Sequence, residues 1–240
     1  MTDDFSNVYA DPTRAGAYAG LGFPATYHLA FRDLPHIFGD HVAGTRALDF
    51  GCGAGRSSRF LKNLGYQVMG VDIAAHMVEQ ARAADPEGDY RLLDDRGLDG
   101  MNEGDFDLIL CAFTFDNVVQ DRKLPIFRSL ASRLAPQGRL VNLVSAPDIY
   151  VHEWASFSTR DFPENRTAKS GDRVRIVMLD VEDRRPVDDI FCTDETYREL
   201  FAGAALTLLE THRPLALPTE PFPWVNETRV SPWAVYVLGR

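Results

Sequence analysis

The sequence predicts an α/β fold: a mostly parallel, seven-stranded sheet wrapped by helices, with a helical cap before it and a small antiparallel insertion after the fifth strand. Three observations predict it. From Arg46 to Val144 short apolar runs alternate with amphipathic stretches, the pattern of strands and helices feeding a parallel sheet. A glycine-rich turn, Asp49-Phe-Gly51-Cys-Gly53-Ala-Gly55, follows the first run and opens the first amphipathic stretch. At 240 residues the chain suits one core with additions rather than several domains.

The elements follow in order. Up to about Gly39, aromatic and apolar residues at helical spacing are interrupted by Pro12, Gly20, Gly22, Pro24 and Pro35, which predicts a cap of two or three short helices over 1–39. A ligand-binding half over 40–145 follows, with strands at Ala47–Phe50, Gln67–Val71, Tyr90–Leu93, Phe106–Phe113 and Arg139–Val144. Its helices are expected at Ser57–Leu64, Ala75–Ala84 and Lys123–Leu134, with a turn at Pro136–Gly138. Residues 146–190 break the rhythm with charges, Pro163, Pro186 and one alternating run, Arg173–Leu179, and read as an insertion carrying a small antiparallel element. Over 191–240 a helix capped by Thr193 or Asp194, a strand Leu206–Glu210 and a last strand Trp233–Leu238 complete seven strands.

Composition narrows the function classes. Lys and Arg number 25 against 35 Asp and Glu, a net charge of −10 that disfavours nucleic acid and anionic lipid as partners. Cys52, Cys111 and Cys192 are too scattered for a metal knuckle and suit a reducing, cytoplasmic setting. No stretch approaches the ~18 apolar residues of a spanning helix. A soluble monomer or homodimer acting on a small molecule is the expectation.

The glycine turn is where backbone approaches a ligand closely. A dinucleotide fingerprint GxGxxG would need glycine where Arg56 stands, so a nicotinamide oxidoreductase is disfavoured. Asp49 at the strand end suits a ligand with a cationic amino group, and Asp72, 21 residues after Gly51, is placed to accept both hydroxyls of a ribose.

ALDFGCGAGRSSRFL, VMGVDIAAHMVEQAR, FDLILCAF and LAPQGRLV, in this order, resemble successive motifs of class I S-adenosylmethionine-dependent methyltransferases, in the subset that acts on small molecules. The resemblance implies a Rossmann-like sheet and S-adenosylmethionine as cofactor, converted to S-adenosylhomocysteine, with no metal expected. It implies that Asp49, Gly51, Cys52 and Gly53 border the methionine part, that Asp72 holds the ribose, and that Ile73 and Met77 flank the adenine. Asp94, with Asp95 beside it, would accept from the adenine amino group. Ala112 and Phe113 would touch the methionine chain, and Tyr18, in Ala15-Gly-Ala-Tyr18, its carboxylate. Arg32 is read as a surface ion pair rather than a further contact to that carboxylate.

The acceptor half is harder to read. The stretch Ala112–Phe115 lacks the Pro-Pro-Tyr clamp of base and amide methyltransferases, and Asp116-Asn117 supplies only part of a catechol-type metal site. His152 and His28 are the candidate general bases. The aromatic residues Tyr150, Trp154, Phe157, Phe162, Phe222 and Trp224 are expected mainly to pack the insertion onto the core, with cap and insertion together forming a lid. The resemblance implies methyl transfer to oxygen or nitrogen of a small molecule. The rival class is a non-catalytic protein that binds S-adenosylmethionine or S-adenosylhomocysteine as a sensor or partner subunit.

Overall fold

The computed structural model describes residues 22–94, 97–101 and 104–240. Tyr18 and Asp95 lie outside the described residues, as does most of the cap. Two cap helices are described, α1 (Ala25–Arg32) and α2 (Leu34–His41). The alternating half then runs β1 (Arg46–Phe50), α3 (Arg56–Asn63), β2 (Gln67–Asp72), α4 (Ala75–Ala84), β3 (Asp89–Leu92), β4 (Phe106–Ala112), α5 (Gln120–Arg133) and β5 (Leu134–Ser145). The insertion carries β6 (Phe157–Ser158), β7 (Arg173–Met178) and β8 (Val187–Ile190), and the chain closes with α6 (Asp194–Gly203), β9 (Thr207–His212) and β10 (Trp233–Gly239).

Seven strands form one sheet in the order β3-β2-β1-β4-β5-β10-β9, parallel from β3 to β5 and antiparallel at β10 and β9. The order reverses between β1 and β4. Such a switch point opens a crevice at the carboxyl edge, because the crossovers on either side leave in opposite directions. Side-chain alternation fills both faces. On β5, Val141 and Leu143 face a core shared with α1, α2 and the insertion, while Leu140 and Val144 face a second core under α5 and α6.

Two sequence expectations change. Pro136–Gly138 is not a turn but part of β5, whose pairing with β4 shifts register near Phe106. Gly138 is needed there because a Cβ would stand 2.4 Å from the Phe106 carbonyl oxygen. The insertion holds three strands rather than one, in the order β6-β7-β8. Val187–Ile190, with two adjacent acids, did not read as a strand, yet it pairs with β7 from Ile176↔Val187 to Arg173↔Ile190.

Cap, insertion and C-terminal loop are fastened together. The Thr26 amide donates to Ser156 Oγ (3.1 Å), the Ser156 amide to Thr26 Oγ1 (3.0 Å), and Thr26 Oγ1 to Glu227 (2.7 Å), all three residues being fully buried. Trp233 Nε1 donates to the Thr26 carbonyl at 2.7 Å. Over the described residues cap, insertion and C-terminal loop form one packed wall, with Trp154 and Phe157 as core side chains within it. Beside that wall, the carboxyl ends of β1, β2 and β4 border a cleft through Phe50, Asp72 and Ala112.

Candidate active site

Three glycines of the turn after β1 adopt left-handed backbone: Gly51 (φ 76°), Gly53 (φ 52°) and Gly55 (φ 79°), the last being the N-cap of α3. A Cβ on Gly51 would meet Thr114 Oγ1 at 2.4 Å. Gly51 is thus required by the protein's own packing rather than by a ligand alone. Thr114 Oγ1 donates to the Phe50 carbonyl at 2.7 Å, tying the turn after β4 to the one after β1.

Asp72 ends β2 and anchors the loop. Its Oδ2 accepts from the Gly53 amide and its Oδ1 from the Ala74 amide, both at 2.8 Å. A carboxylate has about four lone-pair positions, so two remain for hydroxyls in the cleft that Asp72 lines. This cleft is also lined by Gly51, Gly53, Ile73, Met77, Ala112 and Phe113. Ile73 is 69% exposed, an apolar side chain at the mouth of a cleft with no protein neighbour to cover it. Met77 is buried, its Cε reaching within 3.0 Å of where a Gly53 Cβ would stand. Ile73 and Met77 thus offer the apolar flanks that a planar base needs.

Other expected positions fall differently. Asp49 is fully buried and lines neither this cleft nor the smaller one beside it. It stands behind the loop because its side chain points toward α3, where Ser57 Oγ (2.7 Å) and Ser58 Oγ (2.6 Å) both donate to Oδ2. Its Oδ1 is buried without a partner, and burial pushes the carboxyl up to about 6. Cys52 borders the smaller cleft and packs with Val78, Ala81 and Tyr90, its thiol raised by burial. Asp94 is exposed and absent from the cleft lining; Leu93 lines it instead, with its amide donating to the Asp72 carbonyl at 2.8 Å. Side chains alternate along an extended segment, so only one of these neighbours can face the cleft.

Phe113 lines the cleft and has an unexpected backbone. Its φ of 62° is unusual for a large side chain, of the kind that persists where surrounding structure enforces it. Its ring lies 4.9 Å from Trp233 and 5.8 Å from Tyr27. Beyond Phe113 lies a second, small pocket, walled by Tyr27, Phe157 and Trp233 and containing Asp116, Asp189 and Asn117. Phe113 and Asn117 line both cavities.

Neither candidate histidine reaches this pocket. His28 lies 3.3 Å from Glu220 and 5.1 Å from Phe222 on the outer side of α1, and His152 stands edge-on to Trp154. Neither lines a cavity described above. α1 turns Tyr27, not His28, inward, and Trp154 beside His152 is buried in the wall. Arg32 is the expected ion pair, 2.7 Å from Asp33 and 2.9 Å from Glu220. Sequence reasoning missed Asp116 as an acceptor-side acid, and Asp189, Tyr27 and Trp233 altogether. Asp189 left one trace: it occupies an inward position in step with Val187, where an apolar residue is the norm. Among the described residues no group of His, Cys, Asp or Glu is arranged to hold a metal ion.

Residues 48–142 match the methyltransferase domain family. A ubiquinone biosynthesis O-methyltransferase of Xanthomonas euvesicatoria is 36% identical over 103 residues, covering 41% of this chain and 42% of the relative. The chain thus spans about two fifths of that relative's length. An N-demethylindolmycin N-methyltransferase of Streptomyces griseus is 27% identical over 181 residues, 74% of each chain. Among solved structures, an S-adenosylmethionine-dependent methyltransferase from Mesorhizobium loti superimposes with a TM-score of 0.61 at 21% identity, covering 88% of this chain and 98% of that one. Magnesium protoporphyrin IX methyltransferase from Synechocystis, with bound S-adenosylhomocysteine, gives 0.57 at 16% identity, covering 90% and 83%. Residues 48–142 thus carry a methyltransferase domain, set in the 3-2-1-4-5 parallel core that the solved S-adenosylmethionine-dependent methyltransferases share as a fold.

Proposed function

We propose that this chain transfers a methyl group from S-adenosylmethionine to a nitrogen or oxygen of a small molecule. The observation that carries the reading is the meeting of two cavities at Phe113, one floored by the glycine loop and Asp72, the other an aromatic pocket with two acids. The first fits the cofactor: Asp72 for the ribose, Ile73 and Met77 for the base, the loop backbone and Ala112 for the methionine part. Asp49 and Asp72, at the ends of adjacent strands, also give this edge a negative field suited to a sulfonium and an amino group. Bound there, S-adenosylmethionine supplies an activated methyl group, which the acceptor's lone pair takes while the carbon–sulfur pair stays on sulfur.

The chain's own part is alignment and proton removal. Tyr27, Phe157 and Trp233 bury an apolar acceptor body and exclude water, and Phe113, shared by both cavities, sets the approach between them. The relative that aligns over 74% of this chain, hence beyond the cofactor half, methylates a small molecule by its name. The test is incubation with methyl-labelled S-adenosylmethionine and a panel of small amines, phenols and alcohols, read by mass spectrometry. Labelled product supports the reading; S-adenosylhomocysteine binding with no product from any acceptor would favour a non-catalytic binding protein.

A further inference from the structure

Cofactor binding makes no use of the acids in the aromatic pocket. Asp116 sits on the turn after β4, accepting from the Ser145 amide at 3.3 and 3.1 Å. Asp189 sits on β8 in the insertion, its Oδ2 accepting from the Tyr150 hydroxyl at 3.1 Å. Each is only 5% exposed, and what exposure they have opens into the same pocket. Lys123 of α5 is fully buried nearby, and its Nζ has no hydrogen-bond partner. Its charge favours ionisation of both carboxyls, while the Asp116 carboxylate opposes ionisation of Asp189. Two acids face one ammonium, so full ionisation leaves one negative charge unmatched.

We propose that Asp116 and Asp189 form the head-group subsite for an amine acceptor, an aryl or apolar primary or secondary amine that enters as its ammonium ion and gives its proton to the pair. This rests on the methyl-transfer reading and narrows it. A carboxylate acceptor meets like charge, and a neutral hydroxyl leaves the unmatched charge as it was. An ammonium supplies the missing positive charge and several donors. The faces of Tyr27, Phe157 and Trp233, whose ring centroids lie 5.1 to 5.8 Å apart, add cation–π attraction.

In the free protein burial favours a proton on the pair, pushing Asp116 up to about 6 and raising Asp189, with Asp116 adding to the latter. The groups facing the pair are Lys123, Tyr150 and the Ser145 amide, with Asp188 also felt by Asp189, and with Cys192 and Tyr197 close enough to feel Asp116. Arrival of the ammonium expels that proton. One nitrogen–hydrogen bond of the ammonium then breaks, its electron pair remaining on nitrogen as the nucleophilic lone pair, and an oxygen–hydrogen bond forms on the carboxylate. No other reactant is needed for this step.

The experiment titrates 2-phenylethylamine, its isostere 2-phenylethanol, and a small series of aryl-alkyl amines into protein saturated with S-adenosylhomocysteine, by calorimetry. At least one amine should bind tenfold or more tighter than its alcohol. Asp116→Asn and Asp189→Asn should each reduce that preference to threefold or less while S-adenosylhomocysteine affinity stays within threefold of wild type. Should either variant fail to fold, wild type alone decides. Between pH 6 and 7, titration in two buffers of different ionisation heat should show proton release on amine binding and none with alcohol. Equal affinities, a tighter alcohol, no bound amine in the series, or amine binding without proton release overturns the assignment. Absence of S-adenosylhomocysteine binding would instead overturn the methyl-transfer reading beneath it.

Discussion

The two cavities that meet at Phe113 are built in opposite ways. The cofactor cleft is made by contiguous chain: a glycine turn, one acid 21 residues later, and the ends of neighbouring parallel strands. Its key contacts are backbone conformations and one carboxylate bonded to loop amides. The acceptor pocket draws Tyr27, Asp116, Phe157, Asp189 and Trp233 from five separate segments, held by a buried hydrogen-bonded knot around Thr26. Local geometry makes the first, and long-range packing makes the second. A change in the cofactor cleft should therefore act on cofactor affinity, and a change in the acceptor pocket on acceptor choice.

The largest expected effect is at Asp72. Asp72→Ala should weaken S-adenosylhomocysteine binding about 10- to 100-fold, the loss of a charged acceptor for two hydroxyls and of the anchor for the Gly53 and Ala74 amides. Calorimetry checks it, and an affinity within threefold of wild type would break the ribose assignment. Next is Gly51→Ala, which should lower stability by roughly 1–3 kcal/mol, since left-handed backbone and the Thr114 contact both oppose a Cβ. Thermal melts read this directly. Unchanged stability would show that the turn can relax.

The third prediction concerns pH. Burial pushes both Asp49 and Asp116 up to about 6, from an ordinary carboxyl value of 3.8. Such groups stabilise the fold fully below the unfolded value, and the contribution is lost as pH rises through the folded one. The free protein should gain on the order of 2–3 kcal/mol from them as pH falls from 7 toward 5. In that window Asp33, held low by its hydrogen bond with Arg32, stays ionised. Asp49→Asn should raise the melting temperature at pH 7 and flatten the profile; a profile identical to wild type would contradict the buried-charge account of the loop's underside. The smallest effects belong to the two histidines. His28→Ala and His152→Ala should change stability by about 0.5 kcal/mol or less and leave cofactor affinity unchanged. A large loss of methyl transfer in either would return that residue to the site.

The same contrast explains what the sequence could show. The parallel core was readable because strand and helix periods repeat over 46–144, and the loop because the left-handed positions at Gly51, Gly53 and Gly55 favour glycine. Asp49 and Asp94 were harder. Their spacing is right, but whether a side chain faces ligand or core depends on which neighbour takes the inward position, as Leu93 does beside Asp94. Asp189 and Trp233 carry little local information about function. Only the pairing of β8 with β7 and of β10 with β5 brings them to one pocket.

The most direct test is a crystal structure of the protein with S-adenosylhomocysteine. The account predicts both ribose hydroxyls on Asp72, the adenine against Ile73 and Met77, and the sulfur directed past Phe113 toward the pocket of Asp116 and Asp189. A ligand bound elsewhere, or one whose sulfur faces away from that pocket, would contradict it.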